Sequence, residues 1–282
     1  MKLSLPSGFP WVLAFLPLAV LAEERSFQGK GVTASMFSEA STIAPGQTFT
    51  VALTLRHEPG FHTYWKNPGT VGMPTQIAWK LPLGFKAGEL EWQSPERSKM
   101  FKYDVYGYEG NTTLLVKIQA PEILPEGPVS LRAKTSWMAC NDSSCNPGYH
   151  TFELTLSTGE KTIWDSKAKK LVGQARANIP QPLPKLRAKV EPKGNKMRIL
   201  VEGDAIAGLQ PGPDLHFFSS LNHYKVDARQ KIRLSKRGLH VILTKTDYAP
   251  DKIDRVEGVL RFPAKQAGSK GPSYVLIQAK VD

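Results

Sequence analysis

Alternation at period two runs through this chain and limits what it can fold into. In the segment QTFTVALTLR, Phe49, Val51, Leu53 and Leu55 fall on one side of an extended strand. Val129, Leu131, Ala133, Thr135 and Trp137 repeat the pattern, and Phe152, Leu154 and Leu156 take it up again. Successive strand residues point to opposite faces, so such runs predict antiparallel sheets with one buried and one wet face. Turn chemistry separates them at Glu58-Pro59-Gly60, Asn67-Pro68-Gly69 and Leu83-Gly84. Short strands and frequent turns together predict an all-β fold that opens with an immunoglobulin-like β-sandwich over residues 23–158.

The period changes after Thr158. Ile163, Trp164, Ala168, Leu171, Val172 and Ala175 recur at helical spacing, with Asp165 early and lysines and arginine after it, as the helix dipole favours. Pro180 ends the run, and Gln181-Pro182-Leu183-Pro184 reads as a stiff connector. Residues 159–185 are therefore expected to be a short helical and proline-rich linker. Strand patterning resumes at Met197, Ile199 and Val201 and at Leu239, Val241 and Leu243, and Tyr274-Val275-Leu276-Ile277 reads as a buried final strand. A second, smaller β-domain is expected over 186–282.

The first 22 residues read as an export signal. Lys2 precedes the apolar run Phe9–Leu21, which Pro10 and Pro17 interrupt, and Val20-Leu21-Ala22 offers small residues for cleavage after Ala22. The run is short of the ~20 apolar residues of a membrane span, and no later segment is apolar enough to be one. The expected location is the periplasm. The net charge of +12 at pH 7 falls by one with the loss of Lys2. A basic surface of this kind keeps a protein soluble or draws it to acidic partners or membranes. Nucleic acid is not an expected partner, given the export signal and the lack of any nucleic-acid-binding signature.

The chain has two cysteines, Cys140 and Cys145, within Trp137-Met138-Ala139-Cys140-Asn141-Asp142-Ser143-Ser144-Cys145-Asn146-Pro147-Gly148. In an oxidising compartment, such a pair is expected to form a disulfide. Asn141-Asp142-Ser143-Ser144 suits a turn that brings facing strand ends together, because short polar side chains bond their own backbone. Closing so small a loop is worth only about 2 kcal/mol in the chain-entropy model. The spacing fits a structural staple and a redox pair equally well. Asp142 would oppose thiolate formation; Lys134 and His150 would favour it only if the fold brought them close.

Four segments in order resemble the amino-terminal domain of the thiol:disulfide interchange protein DsbD and its copper-sensitivity-suppressor relatives. They are Gly60–Gly69 (GFHTYWKNPG), Leu81–Phe85 (LPLGF), Val105–Glu109 (VYGYE) and Trp137–Gly148. The Ala-Arg-Ala stretch at 175–177, Phe217-Phe218 and Gly258-Val259-Leu260 look like the longer relatives. The resemblance implies an immunoglobulin-like periplasmic domain that passes electrons to oxidised periplasmic proteins, including cytochrome c maturation factors. It implies Cys140 and Cys145 as the redox pair, with Cys145 joining a partner and Cys140 resolving. It also implies a cap of Asp104, Val105, Tyr106, Gly107 and Tyr108, whose rings, chiefly Tyr106, cover the disulfide. No cofactor or metal is implied. Family members continue into membrane and thioredoxin domains, and neither follows before Asp282. A separate membrane electron carrier and thioredoxin-like partners are therefore expected, with this chain as one component of a protein-disulfide reductase. The competing reading is a binding or assembly module with a structural disulfide.

The remaining candidates have plainer explanations. The six histidines show no ligand spacing, and a metal site of His62, His150 and the thiols is not expected. Trp65, Trp79, Trp92 and Trp137 read as packing residues, not as a sugar platform. Ser143 and Ser144 lack a nucleophile elbow, and Glu89 with Glu91 is weak support for glycosidase chemistry.

Overall fold

The structure is a computed structural model and describes residues 25–206, 212, 214–262 and 273–281. The expected export signal, residues 1–22, lies outside the described residues. Two sheets face each other in the first part of the chain. One holds Arg25–Gly29, Val32–Ser38, Thr48–His57, Asn111–Gln119 and Lys86–Glu91, in that spatial order. The other runs Ile163–Trp164, Ala40–Ile43, Cys145–Thr158, Val129–Cys140, His62–Gly69, Tyr103–Glu109 and Glu96–Met100, with Gln76–Lys80 also paired to Val129–Cys140. The fold is all-β and immunoglobulin-like, as the alternation predicts.

The alternating residues form the core between these sheets. Phe49, Val51, Leu53 and Leu55 meet Val129, Leu131, Ala133, Trp137, Phe152, Leu154 and Leu156, all buried. Each such side chain contributes roughly 1.5–3 kcal/mol on leaving water. One expectation needs correction. The outer face of Thr48–His57 is not wet, since Thr50 and Ala52 are buried as well. A helix covers that face.

This helix spans Ser166–Ala177. Asp165 caps it, its carboxylate accepting a hydrogen bond from the Ala168 amide at 2.7 Å, which satisfies one of the orphan donors of the first turn. Ala168, Val172 and Ala175 recur at helical spacing and pack on Phe37, Ala52 and Leu115. The helix is shorter than the sequence pattern suggests. Ile163 and Trp164 form a two-residue strand against Ala40–Ile43 instead, and Leu171 is exposed.

A second pair of sheets follows. Arg187–Lys193, Lys196–Glu202, Gly238–Thr244 and Lys231–Ser235 make a four-stranded sheet; His216–Ser219, Arg255–Arg261 and Tyr274–Lys280 make a three-stranded one. Met197, Ile199, Val201, Leu239, Val241 and Leu243 fill the core between them. The final strand alternates and is not buried throughout: Val275 and Ile277 face inward, while Tyr274 and Leu276 are half-exposed.

A further apolar cluster joins the two pairs of sheets. Trp65, Tyr106, Tyr108 and Leu114 pack there with Phe218, Val226 and Val259. Asn67 donates from its side-chain amide to the carbonyls of Ser219 (2.8 Å) and Leu221 (3.1 Å). Lys66 pairs with Glu257 at 2.9 Å.

Candidate functional site

The two cysteines lie at the closing end of a long hairpin. Val129–Cys140 pairs with Cys145–Thr158 in unbroken register from Val129↔Leu156 to Cys140↔Cys145. The turn closes because Asn141 bonds its own backbone. Its side-chain oxygen accepts from the amides of Ser143 (2.9 Å) and Ser144 (2.8 Å), and the Asn141 amide donates to the Ser144 carbonyl at 2.9 Å. The Cα atoms of Cys140 and Cys145 are 4.1 Å apart, and the sulfurs are bonded.

Strand parity decides which way the bond faces. Trp137 and Ala139 point into the core. Cys140 points the other way with Met138, so the disulfide sits on the outer face of the sheet. A small cluster covers it there: Tyr64, Val105 and Cys140 are buried, with Val71, Met100, Met138 and Cys145 packed around them. The two sulfurs are not equivalent. Cys140 is 0 % exposed, whereas Cys145 is half-buried. Cys145 is the more accessible of the two residues.

Tyr64 and His62 come from the neighbouring strand. The Tyr64 hydroxyl lies 4.0 Å from the Cys145 sulfur. Burial pushes its phenol up to about 12, so it stays protonated and can donate. His62 is the Cα partner of Cys140 and of Glu109. It is buried, its ring meets Tyr64 edge-on at 5.2 Å, and its Nε2 has no hydrogen-bond partner. Burial lowers its pKa, with Glu109 and Asp142 acting in the opposite direction. Neither residue is assigned a role at the disulfide by sequence reasoning. Both lie in the Gly60–Gly69 segment, and their alternate spacing was the available signal.

The expected cap is placed differently. Asp104–Tyr108 is not a loop over the disulfide; it belongs to the strand Tyr103–Glu109. Val105 alone of the five joins the cluster around the cysteines. Tyr106 and Tyr108 project from the opposite face into the cluster shared with the second pair of sheets. Asp104 lines a cleft of about 430 Å³ with Arg97, His216 and Gln230. Gly107 lets the strands approach, since a Cβ there would strike the Thr63 carbonyl. The ring beside the sulfur is Tyr64, not Tyr106.

The other sequence candidates do not converge on the bond. Lys134 is exposed and six residues along the strand from Cys140, roughly 20 Å at the usual strand rise. His150 stacks on Phe27 at 4.5 Å and pairs with Thr135, so it is not gathered with His62. Trp65 and Trp137 are buried, and Trp79 and Trp92 pack on the cores.

Residues 33–157 match the family described as the N-terminal domain of the thiol:disulfide interchange protein DsbD. The crystal structure of the N-terminal periplasmic domain of ScsB from Proteus mirabilis superposes with a TM-score of 0.64 at 12 % identity, over 91 % of this chain and 96 % of that one. The reduced N-terminal domain of DsbD from Neisseria meningitidis aligns over 49 % of this chain and 92 % of that one, at 16 % identity and a TM-score of 0.29. No curated protein sequence matches the chain.

Proposed function

From the match of residues 33–157 to the DsbD amino-terminal family, we propose that this chain is a periplasmic thiol–disulfide exchange protein acting through Cys140 and Cys145. The observation that carries the reading is the asymmetry of the pair: on an outer sheet face, one cysteine is fully buried and the other half-buried. In the donating direction, the Cys145 thiolate attacks a partner disulfide and forms a mixed disulfide. Cys140 then attacks the Cys145 sulfur, which re-forms the intramolecular bond and releases the partner as a dithiol. Two electrons leave this chain, and the two protons on the released thiols come from its cysteines or from water. The chemistry requires no cofactor.

The electrons come from a membrane carrier and go to oxidised periplasmic proteins, with cytochrome c maturation among the uses. Val105 and Tyr64 form the cover over the resting pair. Among the described residues no helix is long and apolar enough to cross a membrane.

Complete burial of Cys140 supports a second reading, in which the disulfide is structural. A redox titration against glutathione separates the two. Exchange predicts a reduction potential above about −300 mV, and a structural bond one below it. Cys140→Ala should also form a mixed disulfide through Cys145 with an oxidised thioredoxin-like protein. A potential below that range together with no mixed disulfide would overturn the exchange reading.

A further inference from the structure

Both strands that cover the disulfide are held from behind by the second pair of sheets. Neighbouring residues of a strand point to opposite faces, and both strands use this. In His62–Gly69, Tyr64 faces the cysteines. Trp65 and Asn67 face away, Trp65 into the apolar cluster that also holds Phe218 and Val259 and Asn67 on the carbonyls of Ser219 and Leu221. In Tyr103–Glu109, Val105 faces the cysteines and Tyr106 faces away. The Tyr106 ring meets Phe218 at 4.7 Å and His216 at 5.6 Å, both edge-on. Its hydroxyl lies 2.9 Å from His216 Nε2.

The polar contact is fixed in one sense. His216 is held neutral by burial, with Arg97 and Arg261 adding to the effect, and its pKa falls to about 3. Burial also raises the Tyr106 phenol. Both groups stay neutral across the physiological range, and with the Gln230 amide also directed at Nε2 the Nδ1–H tautomer leaves Nε2 as the acceptor and the phenol as the donor. Gln230 orders His216 from behind, its amide 3.3 Å from Nε2 while also donating to the Phe217 carbonyl. An unpaired hydroxyl or imidazole in this buried place would carry a desolvation penalty.

We propose that the second pair of sheets is a clamp that sets access to the Cys140–Cys145 bond, with Tyr106 and His216 as its positioning residues. Val105 cannot lift from Cys140 without drawing Tyr106 out of its socket against His216 and Phe218. A partner that reaches the bond by displacing Val105 must first loosen this contact, so events at the second pair of sheets regulate exchange. The proposal gives the regulation of the exchange site proposed above and rests on that reading for its biological meaning. The physical coupling can be measured without it.

The test is the rate at which dithiothreitol reduces the bond in the full chain at fixed pH. Dithiothreitol supplies both electrons and ends as a cyclic disulfide. His216→Ala should speed reduction about tenfold. His216→Gln, whose amide oxygen can still accept from Tyr106, should stay within about twofold of the parent. Tyr106→Phe should speed reduction, and adding His216→Ala to it should bring little more, since both remove the same contact. Circular dichroism and a thermal unfolding transition establish that each variant is folded. Should His216→Ala fail to fold, the milder Tyr106→Phe carries the test alone. Folded variants with unchanged rates would overturn the clamp, even where Cys140→Ala still traps a partner. Accelerated reduction without any trapping would uphold the clamp and remove the exchange role.

Discussion

Tyr64 stands closest to the chemistry among the residues that neither cysteine spacing nor charge pointed to. Its hydroxyl lies 4.0 Å from the Cys145 sulfur, a long contact to a bonded sulfur. Once the bond opens, the same hydroxyl faces a thiolate and can donate to it. Hydrogen bonds to charged groups are worth roughly 1.5–3 kcal/mol, about one to two pKa units. Tyr64→Phe should therefore raise the Cys145 thiol pKa by about one unit, read as thiolate absorbance against pH in the reduced protein with Cys140→Ala. An unchanged titration would mean the hydroxyl does not reach the thiolate. Half-burial of Cys145 beside a sealed Cys140 gives a further expectation: in the reduced chain, iodoacetamide should modify Cys145 first. Exclusive modification of Cys140, mapped by mass spectrometry, would contradict this assignment.

The hairpin turn and the helix each depend on one polar side chain. Asn141 holds the turn by accepting from the Ser143 and Ser144 amides. Without it the turn widens, and the two thiols of the reduced form spend less time in bonding reach. Asn141→Ala should lose about 1 kcal/mol of that preorganisation, which raises the reduction potential by about 20 mV for a two-electron couple. Asp165 is the counterpart at the helix. Asp165→Ala removes the cap on the Ala168 amide and should cost about 1 kcal/mol, seen as a lower urea midpoint with an unchanged slope. The same short segment explains why the helix starts late. Ile163 and Trp164 pair with the Ala40–Ile43 strand, and Asp165, itself still extended, caps the helix that begins at Ser166, so two apolar residues at helical spacing belong to a sheet.

The folded protein as a whole refuses protons that its unfolded chain would take. Burial holds His57, His62 and His216 below the ordinary histidine value of 6.5, His216 at about 3. The unfolded state binds more protons once the pH falls through about 6.5, so stability rises with pH in this window. The contribution is complete above the unfolded value and is lost on acidification toward the depressed folded values. Urea midpoints should fall steadily from pH 7 to pH 4, and His216→Gln should flatten the slope. A parent midpoint independent of pH over that range would show that these histidines are accessible to protons in the folded state. His216 also belongs to the contact between the two pairs of sheets, through Tyr106, so acid should weaken that junction along with overall stability.

Period-two runs, turn residues and the pairing of two nearby cysteines are local properties. Steric alternation and short-range hydrogen bonding fix them, and for that reason the strands, the hairpin and the disulfide could be read from residue order. Phe49 to Leu55 and Val129 to Trp137 were legible as core on these grounds. Which face of Tyr103–Glu109 meets the sulfurs was not legible, because alternation says only that Val105 and Tyr106 diverge. The choice came from a distant segment: Phe218 and His216 offer Tyr106 an apolar socket and an acceptor, leaving Val105 for the cysteines. Long-range burial likewise put the helix on the outer face of Thr48–His57 and brought Tyr64 and His62 to the bond. Chain order supplied the disulfide pair, and packing between remote strands supplied its cover.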